Sequence, residues 1–296
     1  MLEHLNSSPS KPARVVIMGA AGFVGGAIAR RLAQDCVPVL ALGRKDVDLC
    51  APGAAGTLAG LLRKDDAFVA VSARAPCKNP EMLVENAIIA SAMSAALAQS
   101  PAAHVVNIGS DAVYADSADA LTEGSCASPD SLHGAMHLSR EVVLRSSLKA
   151  PFATLRPTLI YGAGDPHNGY GPNRFRRQAL RGEDITLFGN GEERRDHVFV
   201  DDVAELVVRA LYRRSTGALN VATGEVRSFH DIAEHAVKLS GRTVAIRGTP
   251  RSGPLPHNGY RPFDNAAVGK AFPDFRFTLF NDAYARTFSG EQPATN

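Results

Sequence analysis

The segment "ARVVIMGAAGFVGGAIARRLAQD", residues 13–35, decides the fold of this chain. Its short apolar run at 15–18 suits a strand that is buried on both faces. Glycines follow at every third position of 19–25, and apolar residues then recur at helical spacing. Glycines between a first strand and a first helix allow backbone N–H groups to approach a pyrophosphate. The segment therefore predicts a dinucleotide-binding turn. A turn that needs glycines only for its backbone conformation, and binds no ligand, would show the same pattern.

Strand-like and helical stretches alternate after this segment. Apolar runs occupy 37–42, 67–73, 104–110 and 152–162, and a helical pattern covers 81–100. This alternation predicts an α/β fold, a Rossmann-type doubly wound parallel sheet whose ligand lies at the carboxyl ends of the strands.

The alternation breaks up near residue 166, where glycine, proline and arginine become frequent. We therefore expect a dinucleotide-binding domain over 13–165 and a smaller C-terminal lobe over 166–288. Part of 196–222 is expected to return to the first domain. The termini, 1–12 and 289–296, are predicted to be tails, and the polar first segment is predicted to be disordered.

Composition and charge exclude several classes of partner. The net charge of +2 gives no support for binding to nucleic acid or to a membrane surface. No uncharged apolar run reaches the roughly 18 residues that a membrane span requires. Basic residues cluster only locally, at 173–181 and 193–196, which indicates an anionic small ligand.

The cysteines are scattered and have no CxxC spacing. They predict neither a disulfide framework nor a zinc ribbon, and they fit a reducing cytoplasm. The opening stretch "MLEHLNSSPSKP" has no apolar core typical of a signal peptide. We therefore expect a cytoplasmic protein.

The stretch "GRKDVDL" (43–49) bears on cofactor preference. A fold specific for NAD usually places an acidic residue near the end of the second strand. Arg44 stands close to that position and can pair with a 2′-phosphate, which favours NADP(H) without excluding NAD. A solvated surface arginine is the alternative. Asp48 could contact the adenine or ribose edge.

Further motifs follow in a fixed order along the chain. They are "VSARA" (71–75), "IGSDAVYAD" (108–116), "RPTLIYG" (156–162), "GNGEERRDHVFVDDVA" (189–204), "GALNVATGE" (217–225), "SFHDIA" (228–233) and "RPFDNAAVGKAFPDF" (261–275). With the glycine turn, they resemble the extended short-chain dehydrogenases/reductases, a family of nucleotide-sugar epimerases, dehydratases and ketoreductases. The likeness covers about residues 14–288.

The resemblance implies which residues hold a nicotinamide dinucleotide. Its pyrophosphate would lie on the turn formed by Gly19, Gly22, Phe23, Val24 and Gly25. Ala73 and Ala75 would line the cofactor at the end of the third strand, and Pro157 would abut the nicotinamide.

The resemblance also implies a nucleotide-sugar substrate bound mainly by the lobe over 166–288. Arg195 and Arg261 match positions that grip the diphosphate of such substrates, because a guanidinium suits phosphate oxygens. Asn173 lies where relatives often place a further diphosphate contact. Arg195 could instead form a structural ion pair with Asp196 or Asp201.

The stretch "SPDSLHGAMHLSREVVL" (128–144) departs from the family, whose corresponding helix carries Tyr-x-x-x-Lys. His133 stands at the tyrosine position and His137 at the lysine position, one turn apart on one helix face. Ser110 matches the catalytic Ser/Thr that hydrogen-bonds the reacting sugar oxygen, although a serine at a strand end can simply cap a turn. The predicted catalytic residues are Ser110, His133 and His137, and His137 would also donate to the cofactor ribose.

Three interpretations of the histidine pair remain open. Imidazole, with a pKa near ~6.5, can exchange protons at neutral pH, so His133 could serve as the acid/base. Alternatively, the pair has lost this chemistry, and Asp111, Tyr114, Glu123 or Tyr161 would donate the proton. Histidines at this spacing can also ligate zinc, but no certain third ligand is present, and we expect no metal.

The chain is therefore expected to be an NAD(P)-dependent nucleotide-sugar epimerase/dehydratase-like oxidoreductase that uses reversible hydride transfer at a sugar ring carbon. An NADPH-dependent 4-ketoreductase of a nucleotide sugar is the first alternative. A catalytically silent protein that binds the dinucleotide and the sugar nucleotide is the second, and an enzyme of a non-nucleotide carbonyl compound is the third. The resemblance further implies a homodimer.

Overall fold

The computed structural model describes residues 2–251 and 253–289. The strands are β1 (Glu3–His4), β2 (Arg14–Met18), β3 (Val39–Leu42), β4 (Asp66–Ala70), β5 (His104–Ile108), β6 (Phe152–Pro157), β7 (Leu159–Tyr161), β8 (Ile185–Phe188), β9 (Arg194–Phe199), β10 (Ser215–Val221), β11 (Val226–Ser228), β12 (Ile246–Thr249) and β13 (Tyr260–Arg261). The helices are α1 (Phe23–Gln34), α2 (Ala54–Leu61), α3 (Pro80–Gln99), α4 (Leu132–Ser147), α5 (Pro172–Arg181), α6 (Val200–Tyr212), α7 (Phe229–Ser240), α8 (Ala266–Ala271) and α9 (Phe280–Ser289).

The large sheet has the strand order β1-β10-β6-β5-β4-β2-β3. All of its pairs are parallel except β1 with β10. Val15 and Ile17 of β2 pack into the core that contains α1 and α6, whereas Val16 and Met18 face α2, α3 and α4. A strand covered on both faces needs an unbroken apolar run. The predicted doubly wound α/β fold is confirmed.

The smaller lobe adds two sheets. Strands β11, β9 and β13 pair in that order, and β7 also pairs with β9. Strands β8 and β12 form a separate parallel pair. An aromatic cluster joins this lobe to the C-terminal helix, because the ring of Tyr161 lies 5.2 to 6.1 Å from those of Phe199, Phe280 and Tyr284.

The run 152–162 was predicted as one strand, and the structure corrects this. It divides at Thr158 into β6 of the large sheet and β7 of the lobe. The Thr158 hydroxyl donates to Oδ1 of Asp196 at 2.7 Å, and its backbone N–H donates to the carbonyl of Val221 at 3.2 Å. Apolar patterning reports burial and carries no sign of a change of sheet.

The N-terminal segment is also corrected. The first dozen residues were predicted to be a disordered tail, but β1 pairs with Ser215 and Thr216 of β10. The His4 ring bonds to Oγ of Ser215 and to the carbonyl of Ala271, both at 2.8 Å. These contacts are distant in sequence, so a polar composition could not reveal them.

Two further expectations concern the domain boundaries. Within 196–222, helix α6 packs on α1 and β10 joins the large sheet, so this segment contributes to the first domain. The predicted C-terminal tail, 289–296, lies outside the described residues after Ser289.

Among the described helices, α3 alone is long and apolar enough to cross a membrane, judged by length and composition. Here α3 packs against α2 and α4.

Candidate active site

A cavity of about 570 Å³ opens at the carboxyl ends of the parallel strands. It brings together most of the predicted site residues: Gly19, Gly22, Phe23, Val24, Arg44, Asp48, Ala73, Ala75, Ser110, His133, His137, Pro157, Arg195 and Arg261. Gly25 and Asn173 do not line it. Strand ends on one edge of a parallel sheet converge, which is why residues far apart in sequence meet here.

The glycine turn is built for close backbone approach. Gly19 has φ +106°, and a Cβ there would lie 2.8 Å from the backbone nitrogen of Ser72. Gly22 caps α1 without any side-chain hydrogen bond, and the first turn of α1 contains no acidic residue. The free N–H groups and the helix dipole therefore remain open to an anion. This turn fits a dinucleotide pyrophosphate.

Gly25 and Asn173 act behind the cavity wall. A Cβ on Gly25 would lie 2.1 Å from the carbonyl oxygen of Gly19, so glycine is needed for the helix to meet the turn. The Asn173 side chain accepts from the backbone N–H of Gly162 at 3.0 Å and donates to the carbonyl of Ile160 at 3.5 Å. It holds the loop after β7, so its predicted contact with a diphosphate is not supported by its position.

The end of the cavity near β3 carries two ion pairs. Nε of Arg44 lies 3.3 Å from Oδ2 of Asp48. A backbone hydrogen bond from Cys50 and the nearby Arg44 guanidinium lower the pKa of Asp48. Sequence reasoning did not identify Arg74, which also lines the cavity and pairs with Glu85 at 3.1 Å. Two guanidinium groups thus stand at the end of the cavity near β3.

Ser110 ends the segment after β5 and is almost buried. Its Oγ accepts from the backbone N–H of Ala112 at 3.2 Å and donates to Oδ1 of Asp111 at 3.4 Å. The serine therefore caps the 3-10 turn at Asp111–Val113. It also lines the cavity, so the turn-capping and the substrate-binding roles are compatible.

Helix α4 presents the histidine pair to the cavity. Ser131 caps the helix by accepting from the N–H of Gly134 at 3.1 Å. The His133 and His137 rings meet edge to face with centroids 4.7 Å apart. The backbone N–H of Cys77 donates to Nδ1 of His133 at 3.4 Å, so the neutral ring carries its proton on Nε2.

Burial is the main influence on the protonation of both rings. It lowers the pKa of His133 from 6.5; Asp111 opposes this effect, while Arg140 and His167 add to it. Burial, the Arg140 charge and His133 together lower the pKa of His137 well below 6.5. Both rings are therefore neutral at pH 7.

Most of the other candidate proton donors are hydrogen-bonded to neighbouring groups or lie outside the main cavity. The Tyr114 hydroxyl donates to Oδ1 of Asn220 at 2.6 Å, and burial raises its pKa. Glu123 accepts from the backbone N–H of Asn220 at 2.7 Å. Tyr161 lies in the aromatic cluster of the lobe and lines a different, smaller cavity. Of the four alternatives, only Asp111 lines the main cavity.

Two arginines stand at the lobe end of the cavity. Nε of Arg195 donates to Glu193 at 2.7 Å, so its structural partner is Glu193 and the expected pairing with Asp196 or Asp201 is corrected. Arg261 donates to Oδ1 of Asp116 at 2.6 Å and to the carbonyl of Asp111 at 2.9 Å. Arg195 uses one of its five donors in this contact and keeps the others for phosphate oxygens. Arg261 also bonds to His257 and to the carbonyl of Tyr114, so a phosphate oxygen would have to replace one of its present partners.

Several lining residues were not predicted. Arg140, Asp165, His167 and His257 all contribute to the cavity wall. Arg140 could have been found, since it lies two helical turns after His133 on the same face of a predicted helix. The loop residues carry no such periodic signal.

Comparison with known proteins identifies the family to which this chain belongs and a solved structure that shares its fold. A family model described as the NAD dependent epimerase/dehydratase family matches residues 15–222. The dTDP-L-rhamnose 4-epimerase of Burkholderia thailandensis is 31% identical over 138 residues, 44% of this chain and 38% of that protein. The dTDP-4-dehydro-6-deoxy-D-allose reductase of Streptomyces bikiniensis is 32% identical over 102 residues, 32% of this chain and 30% of that protein. The chain thus matches only about a third of the length of these curated relatives.

Likeness to a solved structure extends much further along the chain. The UDP-glucose 4-epimerase of Thermus thermophilus, in complex with NAD, superposes with a TM-score of 0.79 at 21% identity. The match covers 94% of this chain and 99% of that one. The two proteins share a fold.

Proposed function

The chain belongs to the NAD dependent epimerase/dehydratase family, and from this premise we propose that it is an NAD(P)-dependent oxidoreductase of a nucleotide-activated sugar. Its chemistry would be epimerase/dehydratase-like, with reversible hydride transfer at a sugar ring carbon. One observation carries the proposal: the glycine turn, Ser110 after β5, the histidines of α4 and two arginines of the lobe line a single cavity. The names of the two sugar-nucleotide relatives support the choice of substrate class.

The residues present fit a nicotinamide dinucleotide. The uncapped N-terminus of α1 and the Cβ-free turn at Gly19 would hold its pyrophosphate. Arg44 lines the end where a 2′-phosphate would lie, which favours NADP(H) over NAD. The NAD complex of the Thermus thermophilus structure keeps NAD as a candidate. The cofactor supplies one chemistry when bound, the reversible transfer of a hydride.

The protein's own groups would orient the sugar and exchange its proton. Ser110 would hydrogen-bond the reacting oxygen, and His133 would donate or accept the proton of that oxygen through Nε2. To accept a proton at Nε2, the neutral His133 ring must carry its own proton on Nδ1. Nδ1 then no longer accepts the hydrogen bond from the backbone N–H of Cys77. That contact is long at 3.4 Å, so its loss costs little. His137 would donate from Nε2 to a ribose hydroxyl, and Arg195 with Arg261 would bind the diphosphate.

The experiment is calorimetric titration of the purified protein with NAD, NADPH and a panel of UDP-, GDP- and dTDP-sugars. Any sugar that binds is then assayed for conversion. We expect one dinucleotide and at least one nucleotide sugar to bind, followed by turnover. Arg195→Ala should weaken sugar-nucleotide binding by about tenfold, whereas a matched control on the exposed Arg181→Ala should not. Equal affinity in the Arg195 variant would favour a non-nucleotide carbonyl substrate instead.

A nucleotide-sugar 4-ketoreductase is the second candidate, favoured by the position of Arg44 and by the relative that is a reductase. The cofactor state of the purified protein separates the two reactions. NAD retained through purification would support a cycle that returns the hydride to the sugar. An empty site that prefers NADPH would support net reduction.

A catalytically silent binder is the third candidate. It is favoured by the burial of His137 and the partial burial of His133, since neither ring is charged at pH 7. Binding of cofactor and sugar nucleotide without conversion of any bound sugar would support it.

The proposal includes a homodimer and a cytoplasmic location. Exposed apolar side chains lie on α3 (Val84 and Ile88) and on the adjacent α4 (Val142), which suits an interface through these helices. Light scattering should show a dimer that Ile88→Lys weakens and the exposed control Leu5→Lys does not. The described cysteines are all free, which suits a reducing compartment.

A further inference from the structure

Arg140 is a buried cation at the floor of the main cavity. It is 3% exposed and lies on the same face of α4 as both histidines. One terminal nitrogen, Nη1, donates to the carbonyl of Ser72 at 3.1 Å. The other, Nη2, donates to the carbonyl of Ile108 and lies 3.3 Å from Nδ1 of His137. The guanidinium thus touches the ends of two parallel strands and the histidine pair.

No carboxylate neutralises this charge. Among the described residues, no Asp or Glu oxygen lies within ion-pair distance of Arg140, and its Nε is buried without a hydrogen-bond partner. The adjacent Glu141 binds Arg156 in two contacts, at 2.6 and 3.0 Å. Burial lowers the pKa of Arg140 to about 10, so it stays charged at pH 7. The cavity floor therefore carries a fixed positive charge in a medium of low polarity.

The contact with His137 also has a fixed direction. A guanidinium has only donors, so Nδ1 of His137 must accept, and the ring proton lies on Nε2. His137 is left as a neutral donor toward the cavity and takes no part in proton exchange.

We propose that Arg140 is a positioning residue that holds the His137 proton on Nε2 and, through its unpaired charge, makes the cavity favour the reduced dinucleotide over the oxidised one. The inference rests on the proposed function. An oxidised nicotinamide ring is positively charged, and gain of a hydride, two electrons with one proton, makes it neutral. A like charge nearby disfavours the oxidised form. The hydride comes from the sugar carbon, whose hydroxyl proton passes to His133.

The test compares the dissociation constants of the oxidised and reduced dinucleotide in three variants. Arg140→Gln removes the charge, Arg140→Lys retains it, and Arg145→Gln is the control, an exposed arginine on the same helix. In Arg140→Gln, the preference for the reduced form should fall by about fivefold or more. Arg140→Lys and Arg145→Gln should stay within about twofold of the wild-type ratio.

A purely structural role predicts something different. If Arg140 only ties the two strand ends together, Arg140→Gln weakens both forms equally and the ratio is unchanged, which would overturn the inference. A wild-type chain that binds neither form contradicts the proposed function and, with it, this inference.

A second readout needs no folded variant at position 140. Nitrogen NMR of ¹⁵N-histidine-labelled wild-type protein, with the signal assigned through His137→Asn, should show the His137 proton on Nε2 at neutral pH. A proton on Nδ1 would overturn the inference even if Arg140→Gln does not fold.

Discussion

His133 is the residue on which the proposed chemistry depends, and its surroundings set the pH at which it works. Burial lowers its pKa below 6.5, Asp111 acts in the opposite direction, and Arg140 and His167 strengthen the lowering. The ring is therefore a neutral base over most of the physiological range. Oxidation of a sugar hydroxyl needs the neutral ring, and reduction of a ketone needs the charged one.

The pH profile tests this assignment. With His133 as the acid/base, the rate of sugar oxidation should rise with pH along an ascending limb whose midpoint lies below pH 6.5. Above this limb the rate should reach a plateau. Asp111→Asn removes the charge that opposes the lowering, so this limb should move to still lower pH. Steady-state rates measured from pH 5 to 8 provide the check, with the exposed Asp119→Asn as control. A limb that stays in place in Asp111→Asn would contradict the assignment.

The buried pair of Glu141 and Arg156 stabilises the region behind the active site. Both side chains are nearly inaccessible, and Arg156 also donates to the Tyr114 hydroxyl at 2.8 Å. A Cβ at Gly109 would lie 2.7 Å from Oε1 of Glu141, so the carboxylate packs directly under the end of β5. The pair therefore fixes the segment that carries Ser110.

Removing one partner should be costly because the other charge stays buried. Glu141→Gln is expected to lower the free energy of unfolding by about 3 kcal/mol, as measured by urea denaturation. The exposed control Glu81→Gln should change it by less than about 0.5 kcal/mol. Unchanged stability in Glu141→Gln would show that the pair is not needed for the fold.

At the scale of single elements, the first turn of α1 contains two glycines with different surroundings. The Cβ of an alanine at position 25 would collide with the Gly19 carbonyl at 2.1 Å, whereas at position 26 its nearest neighbours would lie at 3.5 Å. Only the first glycine is needed for the helix to meet the turn.

The two alanine variants should therefore behave oppositely. Gly25→Ala should lower the free energy of unfolding by about 2 kcal/mol or more and abolish dinucleotide binding. Gly26→Ala should be neutral or stabilise by up to about 1 kcal/mol, because alanine is the better helix former. Thermal denaturation and calorimetry measure both quantities. Equal effects of the two variants would show that the close approach at Gly25 is unimportant.

Local patterns predicted the elements far better than their connections. The apolar run at 15–18 predicted β2, and the helical spacing after it predicted α1. Such predictions succeed because the buried face of a regular element places apolar residues at regular spacing along the sequence. The split at Thr158 depends on a hydrogen bond to Asp196, 38 residues later. The pairing of β1 with β10 and the contacts of Arg261 with Asp116 and Asp111 are equally non-local, so no window of sequence contains them.

Across the whole molecule, buried neutral histidines make stability depend on pH. Burial lowers the pKa of His104 to about 4 and that of His197 to about 3. A histidine whose pKa is lowered by folding contributes its full stability above its unfolded pKa, near ~6.5. That contribution is lost as pH falls from there toward the folded pKa.

The protein should therefore lose stability between pH 7.5 and pH 5, by about 2 kcal/mol for each such ring at pH 5. His104→Gln should remove the part of this loss of stability that comes from the His104 ring. The exposed control His230→Gln should leave the pH dependence of stability unchanged. Urea denaturation at the two pH values gives the difference. A pH dependence unaffected by His104→Gln would contradict the assignment of a neutral ring to this site.

The most direct test of the central claim is turnover by His133→Phe, with dinucleotide affinity measured on the same preparation and His230→Phe as control. We expect conversion of the nucleotide sugar to fall by at least about a hundredfold while the dissociation constant of the cofactor changes by less than about threefold. Full turnover by the His133 variant would contradict the assignment of an imidazole acid/base at this site.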